Sequence, residues 1–240
     1  MAESEHKHAL IVGVGDGLSA SLARLLHVKG WQLALSARDT GKLEALGAET
    51  GATLHACDAS DPDQVAGLFD VLDATGGGPL RLVVYNPSAR QRAPLVDLDP
   101  VQVKTAVEVT AYGAFLVGQQ AARRMLDQQP DARGVRGTIL FTGASAGVKG
   151  FPQSAPFAMG KFAQRGLAQS MARELHPQGI HVAWINIDGA IRNPGRTEPL
   201  DRPDSMLDPD AIARTYLALV DQDRSAWSEE IAVRPWVERF

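Results

Sequence analysis

The run Ala9-Leu10-Ile11-Val12-Gly13-Val14-Gly15-Asp16-Gly17-Leu18 sets three glycines between a short apolar segment and a stripe of Leu18, Leu22, Leu25 and Leu26. Four consecutive apolar residues suit a strand buried on both faces. Leucines three and four positions apart suit a helix with one buried side. Glycine between them permits a tight turn and lets backbone N–H groups approach a pyrophosphate at the helix N-terminus. Neither glycine template is complete. The dinucleotide fingerprint wants glycine where Leu18 stands, and the wider G-x-x-x-G-x-G spacing wants it where Ser19 stands. The strand before and the helix after carry the reading, with Gly13, Gly15, Gly17 and Leu18 as the candidate phosphate loop.

The same alternation continues along the chain. Strands are expected at Ala9–Val12, Gln32–Ser36, Ala52–Ala56, Arg81–Tyr85, Thr138–Thr142, His181–Ile187 and Glu230–Val233. Asp61, Asp99 and Asp208 each precede a proline, the pairing that opens a helix. The helical stretch that opens after Asp99 is expected to reach about Asp127. Strand and helix alternating this often predict an α/β fold: a doubly wound parallel sheet of about seven strands with helices on both faces, the Rossmann fold. No domain boundary stands out, so residues 1–240 are read as a single domain. The longest irregular stretch, 193–207, follows the sixth strand and is a candidate substrate lid.

Composition narrows the function. A net charge of -4 over 240 residues gives no basic footprint for nucleic acid. No apolar run approaches the ~20 residues that span a bilayer. Cys57 is the single cysteine, and the first eight residues hold no apolar signal core, so a cytoplasmic setting is expected. His27, His55, His176 and His181 show no metal-ligand spacing, and no metal is expected. Gly143-Ala144-Ser145-Ala146-Gly147 echoes a nucleophile elbow, but no histidine follows His181 to serve it.

The second strand ends Ser36-Ala37-Arg38. An acid there would bond the ribose 2′-hydroxyl of NAD, whereas an uncharged residue followed by arginine suits a 2′-phosphate. NADP(H) is therefore favoured over NAD(H). Asp39 stands against this, as a ribose acceptor or a helix cap.

Taken in order, these segments resemble the short-chain dehydrogenase/reductase family over nearly the whole chain. Leu10-Ile11-Val12-Gly13 with Gly17-Leu18 resembles its glycine loop, and Asp58 matches its acid near the adenine. Asn86-Pro87-Ser88-Ala89 resembles its N-A-G segment, which places Asn86 and Ser88 beside the cofactor. Lys161 matches the lysine of Y-x-x-x-K, and Ile187-Asp188-Gly189-Ala190-Ile191 resembles the segment that approaches the nicotinamide, through Gly189 and Ile191. The resemblance implies hydride transfer between a nicotinamide and a small carbonyl or alcohol. It also implies a homodimer or homotetramer, paired through the helices near Pro100–Asp127 and Ala155–His176 and joined by a tail carrying Trp236 and Phe240.

The catalytic half departs from that pattern. Phe157 stands where the proton-donating tyrosine belongs, four residues before Lys161. Thirteen residues earlier, the serine position holds Ala144, with Ser145 one residue on. The asparagine position maps to Thr110. Two functions follow. One is an atypical oxidoreductase using Lys161, Ser145 and water or the substrate as proton source. The other is a catalytically inactive NADP(H)-binding sensor or scaffold.

Overall fold

Successive residues of the first strand bury into opposite layers. Ala9 and Ile11 join one apolar cluster, Leu10 and Val12 the other, which is why the run is apolar throughout. The computed structural model describes residues 7–75 and 77–238. Phe240 and His6 lie outside them.

The strands are β1 (His8–Val12), β2 (Gln32–Ala37), β3 (Thr53–Ala56), β4 (Leu80–Tyr85), β5 (Gly137–Thr142), β6 (Ile180–Ile187), β7 (Ala190–Ile191), β8 (Met206–Leu207) and β9 (Glu230–Val233). Seven of them form one parallel sheet in the order β3-β2-β1-β4-β5-β6-β9. The helices are α1 (Leu18–Val28), α2 (Glu44–Thr50), α3 (Pro62–Ala74), α4 (Pro100–Val107), α5 (Gly113–Asp127), α6 (Ala155–Leu175) and α7 (Pro209–Val220). Leu22 and Leu26 of α1 pack with Ile212 and Tyr216 of α7 on one face. Phe69 of α3, Val117 of α5 and Ala168 of α6 cover the other. This is the doubly wound Rossmann sheet. Strand order reverses between β1 and β4, and crevices of such sheets open beyond the strand ends at that point.

The three predicted caps form. Asp61 accepts from the N–H groups of Asp63 and Gln64, Asp99 from Val101, and Asp208 from Asp210 and Ala211. Each contributes about 1 kcal/mol.

The stretch after Asp99 is not one uninterrupted α-helix. Glu108–Tyr112 between α4 and α5 is a π turn. Two contacts account for it. Tyr85 Oη donates to the Val109 carbonyl within this turn at 2.5 Å. A Cβ on Gly113 would lie 2.3 Å from Tyr85 Oη and 2.5 Å from the Ala59 carbonyl, so glycine lets the helix press that close. Periodicity cannot reveal a bulge set by a distant tyrosine.

The segment 193–207 is tethered at both ends. β7 and β8 pair in parallel across its base, and Asn193 and Arg196 exchange backbone hydrogen bonds in a tight turn.

Gly13 closes the first turn with φ of +80°, and a Cβ there would sit 2.6 Å from Pro87 Cγ. Asn86 Nδ2 donates to the Gly13 carbonyl at 3.1 Å, so the end of β4 is locked to the glycine loop. Gly13→Ala therefore meets both backbone strain and a ring that cannot retreat. Urea denaturation should show a loss of about 1–3 kcal/mol; an unchanged midpoint would contradict the tight approach.

Candidate active site

Beyond the carboxyl ends of β1, β4, β5 and β6 lies an open cleft of about 740 Å³. Its walls come from five segments: the glycine loop, the run after β4, the turn after β5, the start of α6 and the run after β6. Gly13, Gly15, Gly17, Leu18, Asn86, Ser88, Ala144, Ser145, Phe157, Lys161, Gly189 and Ile191 all border it. Twelve of the candidate residues thus meet at one place.

The glycine loop is shaped for close approach. A Cβ on Gly15 would meet nothing within 4 Å, which leaves open space at that turn. Ser19, where a template wants glycine, is buried and spoken for. Its hydroxyl accepts from Asn86 Nδ2 at 2.8 Å. A third glycine is thus replaced by a hydrogen bond that fixes the same loop.

Arg38, Asp58 and Thr110 do not border the cleft. Arg38 is exposed at the end of β2. Asp58 follows β3, and its Oδ1 accepts from the Ser60 backbone at 3.0 Å and hydroxyl at 2.6 Å. Those bonds hold its carboxyl below the usual range, with a smaller contribution from the Arg38 charge. Asp39, the counter-candidate, caps the next turn through Gly41 N–H at 3.0 Å. Thr110 is fully buried in the π turn, where its hydroxyl accepts from Ala89 N–H at 3.2 Å.

Lys161 is the site's least ordinary group. Its side chain is 2 % exposed, and among the described residues it has no carboxylate partner. Nζ donates to the Thr142 carbonyl at 2.5 Å and to Gln164 Oε1 at 3.2 Å. Burial pulls the ammonium down to about 7, and the Arg90 charge pushes the same way.

Gln164 was not anticipated from the sequence. It is fully buried, accepts from Trp184 Nε1 at 3.3 Å, and donates to the Thr110 carbonyl at 3.2 Å. The signal was present: a glutamine one turn beyond Lys161, on the face where an apolar residue is expected. Trp184 in turn shapes the turn carrying Ala144 and Ser145. A Cβ on Gly143 or Gly147 would come within 2.4 Å of its ring.

Arg90 also escaped sequence reading. Its guanidinium lies 4.2 Å above the centre of the Phe157 ring and borders the cleft. Phe157 packs with Ala144 and Ala146 in a small apolar cluster apart from the two main ones. Ser145 opens a short 3-10 turn, and its hydroxyl bonds no other described residue.

No other tyrosine takes the missing place. Of the three in the chain, none borders the cleft. Tyr85 serves the π turn, Tyr216 is bonded to Thr142 at 2.8 Å, and Tyr112 stacks on Phe115 at 6.3 Å. Burial raises the pKa of Tyr85 and Tyr216 further out of range.

A family described as short chain dehydrogenase matches residues 7–195. The chain belongs to that family. It is 27% identical to L-2,3-butanediol dehydrogenase of Corynebacterium glutamicum, over 94% of this chain and 88% of that one. A short-chain dehydrogenase from Rhodopseudomonas palustris superposes with a TM-score of 0.80 at 31% identity, covering 96% of this chain and 99% of that one. A metagenomic short-chain oxidoreductase in complex with NADP gives 0.81 at 26% identity, covering 96% and 98%.

For this short-chain dehydrogenase, the Lys161 pKa has a thermodynamic consequence. Its ordinary value of 10.5 in the unfolded chain falls to about 7 on folding. Between those values the unfolded state binds more protons, so stability rises with pH, by up to about 1.4 kcal/mol per unit. The cost of burying the charge is full below pH ~7 and recedes above it. Denaturation of the nucleotide-free protein at pH 7, 8 and 9 should show this rise, and Lys161→Met should flatten it. Identical slopes in the two proteins would contradict a depressed lysine.

Proposed function

We propose that this protein is a nicotinamide-dependent oxidoreductase of small carbonyls or alcohols, favouring NADP(H), that works without a phenol donor. The observation that carries the reading is the placement of Lys161. Its side chain, buried and without a carboxylate partner among the described residues, borders the same cleft as the glycine loop.

The residues fit such a cofactor. Open space at Gly15 and the N-terminus of α1 suit a pyrophosphate. Arg38 is exposed with no ion pair among the described residues, so it is available to a 2′-phosphate. Asp58 stands near it for the adenine side, and Gly189 with Ile191 would border the nicotinamide. The NADP complex of the metagenomic relative supports the same assignment. When bound, the nucleotide supplies or accepts the hydride.

The chain's own part is orientation and a proton. Thr142 and Gln164 hold Lys161 Nζ from behind. The charged amine then has a hydrogen left for a ribose hydroxyl or the substrate oxygen. A pKa near the working pH suits an acid that must both give and regain its proton. Ser145 is placed to orient the substrate oxygen. Phe157 and Ala144 offer neither a proton nor a hydrogen bond, and each missing donor costs roughly 3 kcal/mol of transition-state stabilisation. Turnover is therefore slow.

Tyr112, Phe115, Met159 and Phe162 leave large apolar area exposed on the π turn, α5 and α6. This favours pairing with a second copy of the chain.

Single-turnover mixing of NADPH-loaded protein with a panel of aldehydes and ketones tests the reading. Slow oxidation of the nucleotide is expected with at least one. None, from folded and loaded protein, would leave a nucleotide-binding protein without this chemistry. Phe157→Tyr with Ala144→Ser should raise the rate about 10²-fold or more. A rate unchanged by the double variant would show that donor loss is not what limits the parent.

A further inference from the structure

The charges around the cleft are unbalanced. Arg90, Arg92, Lys161 and Arg196 border it, against Asp16 alone on the acidic side. None of the three arginines forms an ion pair among the described residues. Asp16 sits in the glycine loop and forms no ion pair with them among the described residues.

Two of the arginines are placed by built features. Arg90 follows Ala89, whose N–H is fixed by Thr110, and its guanidinium lies flat over Phe157. Arg196 closes the Asn193 turn, with backbone bonds of 2.9 and 3.1 Å. The two guanidiniums are close enough to depress Arg90 electrostatically, though burial does more. Gln153, on the same rim, holds a left-handed φ of 58°, a conformation non-glycine residues keep mainly where surrounding structure imposes it.

A bound pyrophosphate would not use up the charge of Arg90. It is served by the glycine loop and helix N-terminus, and the Asn193 turn lies beside Gly17, 3.5 Å from a Cβ built there. Arg90 stands elsewhere, over the ring that occupies the tyrosine position, where the reacting carbonyl would lie. A neutral ketone there would cover a guanidinium with apolar surface and give it no partner, which is unfavourable. An anion would satisfy it, and a planar fork matches a carboxylate with two parallel bonds.

Resting on the oxidoreductase reading above, we infer that the substrate is a small carboxylate-bearing carbonyl or alcohol, its carboxylate held by Arg90 over Phe157 with Arg196 alongside. The apolar cluster of Ala144, Ala146 and Phe157 takes the carbon skeleton. The same bidentate hold positions the substrate oxygen toward Lys161 and Ser145, which compensates in orientation for part of what the lost donors supplied.

The test compares benzoate with benzamide by calorimetry, on nucleotide-free and on NADPH-loaded protein. Benzoate should bind at least about tenfold more tightly in either form. Arg90→Gln should bring the two within about twofold, and Arg90→Lys should fall between, since it keeps charge without the fork. Turnover of 2-oxobutanoate and 3-oxobutanoate should exceed that of their methyl esters by a similar factor. Parity of benzoate and benzamide in the parent, binding of neither, or selectivity that survives Arg90→Gln would overturn the inference. Should Arg90→Gln melt far below the parent, the Lys variant decides, because selectivity unchanged there also counts against the fork. Absence of NADPH heat in the same cell would defeat the oxidoreductase reading separately, because carboxylate selectivity is read without nucleotide.

Discussion

The wall of the cleft formed by β5, β6, α6 and the π turn hangs from the hydrogen bonds around one buried amide. Gln164 joins the Lys161 amine, the Trp184 indole and the Thr110 carbonyl. It thereby ties α6, β6 and the π turn to one another, while Lys161 adds the end of β5 through Thr142. A buried polar network of this kind stabilises only when every member is satisfied. Here the lysine is held by two acceptors and no anion. That choice keeps the amine in place while leaving its charge poorly compensated, which is why burial depresses it so far.

The chemistry follows from that placement. In a pattern built on tyrosine, lysine acts through the phenol. With Phe157 in that position and Ala144 packed against it, Lys161 borders the cleft without a phenol, and Arg90 lies over the Phe157 ring. Loss of donors and gain of a cation change the site in one direction. On the reading proposed above, it is poorer at stabilising an oxyanion by hydrogen bonds and better at holding a charged substrate. Two features that read as defects in isolation, a missing phenol and an unpaired arginine, sit face to face.

The fold was legible because its signals are local. All seven sheet strands fall within a residue or two of the apolar runs, and each Asp-Pro cap forms as its side-chain chemistry requires. The glycine loop and the strand ends that border the cleft could be read along the chain for the same reason, since glycine spacing is local. What escaped depends on distant partners. The π turn meets Tyr85 from a distant strand, and Ser19 stands at a glycine position bonded to Asn86, which follows another strand. Gln164 is an unremarkable helix residue until Trp184 and Lys161 surround it, and Arg90 is a loop charge until Phe157 lies beneath it. Arg38 and Asp58, read from the sequence for the 2′-phosphate and the adenine side, feel each other's charge but lie outside the cleft that most other candidates share.

The central claim is that the glycine turn, Arg38 and Lys161 form a working nucleotide pocket although the tyrosine is absent. Titration calorimetry of nucleotide-stripped protein with NADPH and with NADH tests it most directly. Saturable heat is predicted for NADPH, with weaker binding of NADH. No heat from either nucleotide, in protein shown to be folded, would contradict it.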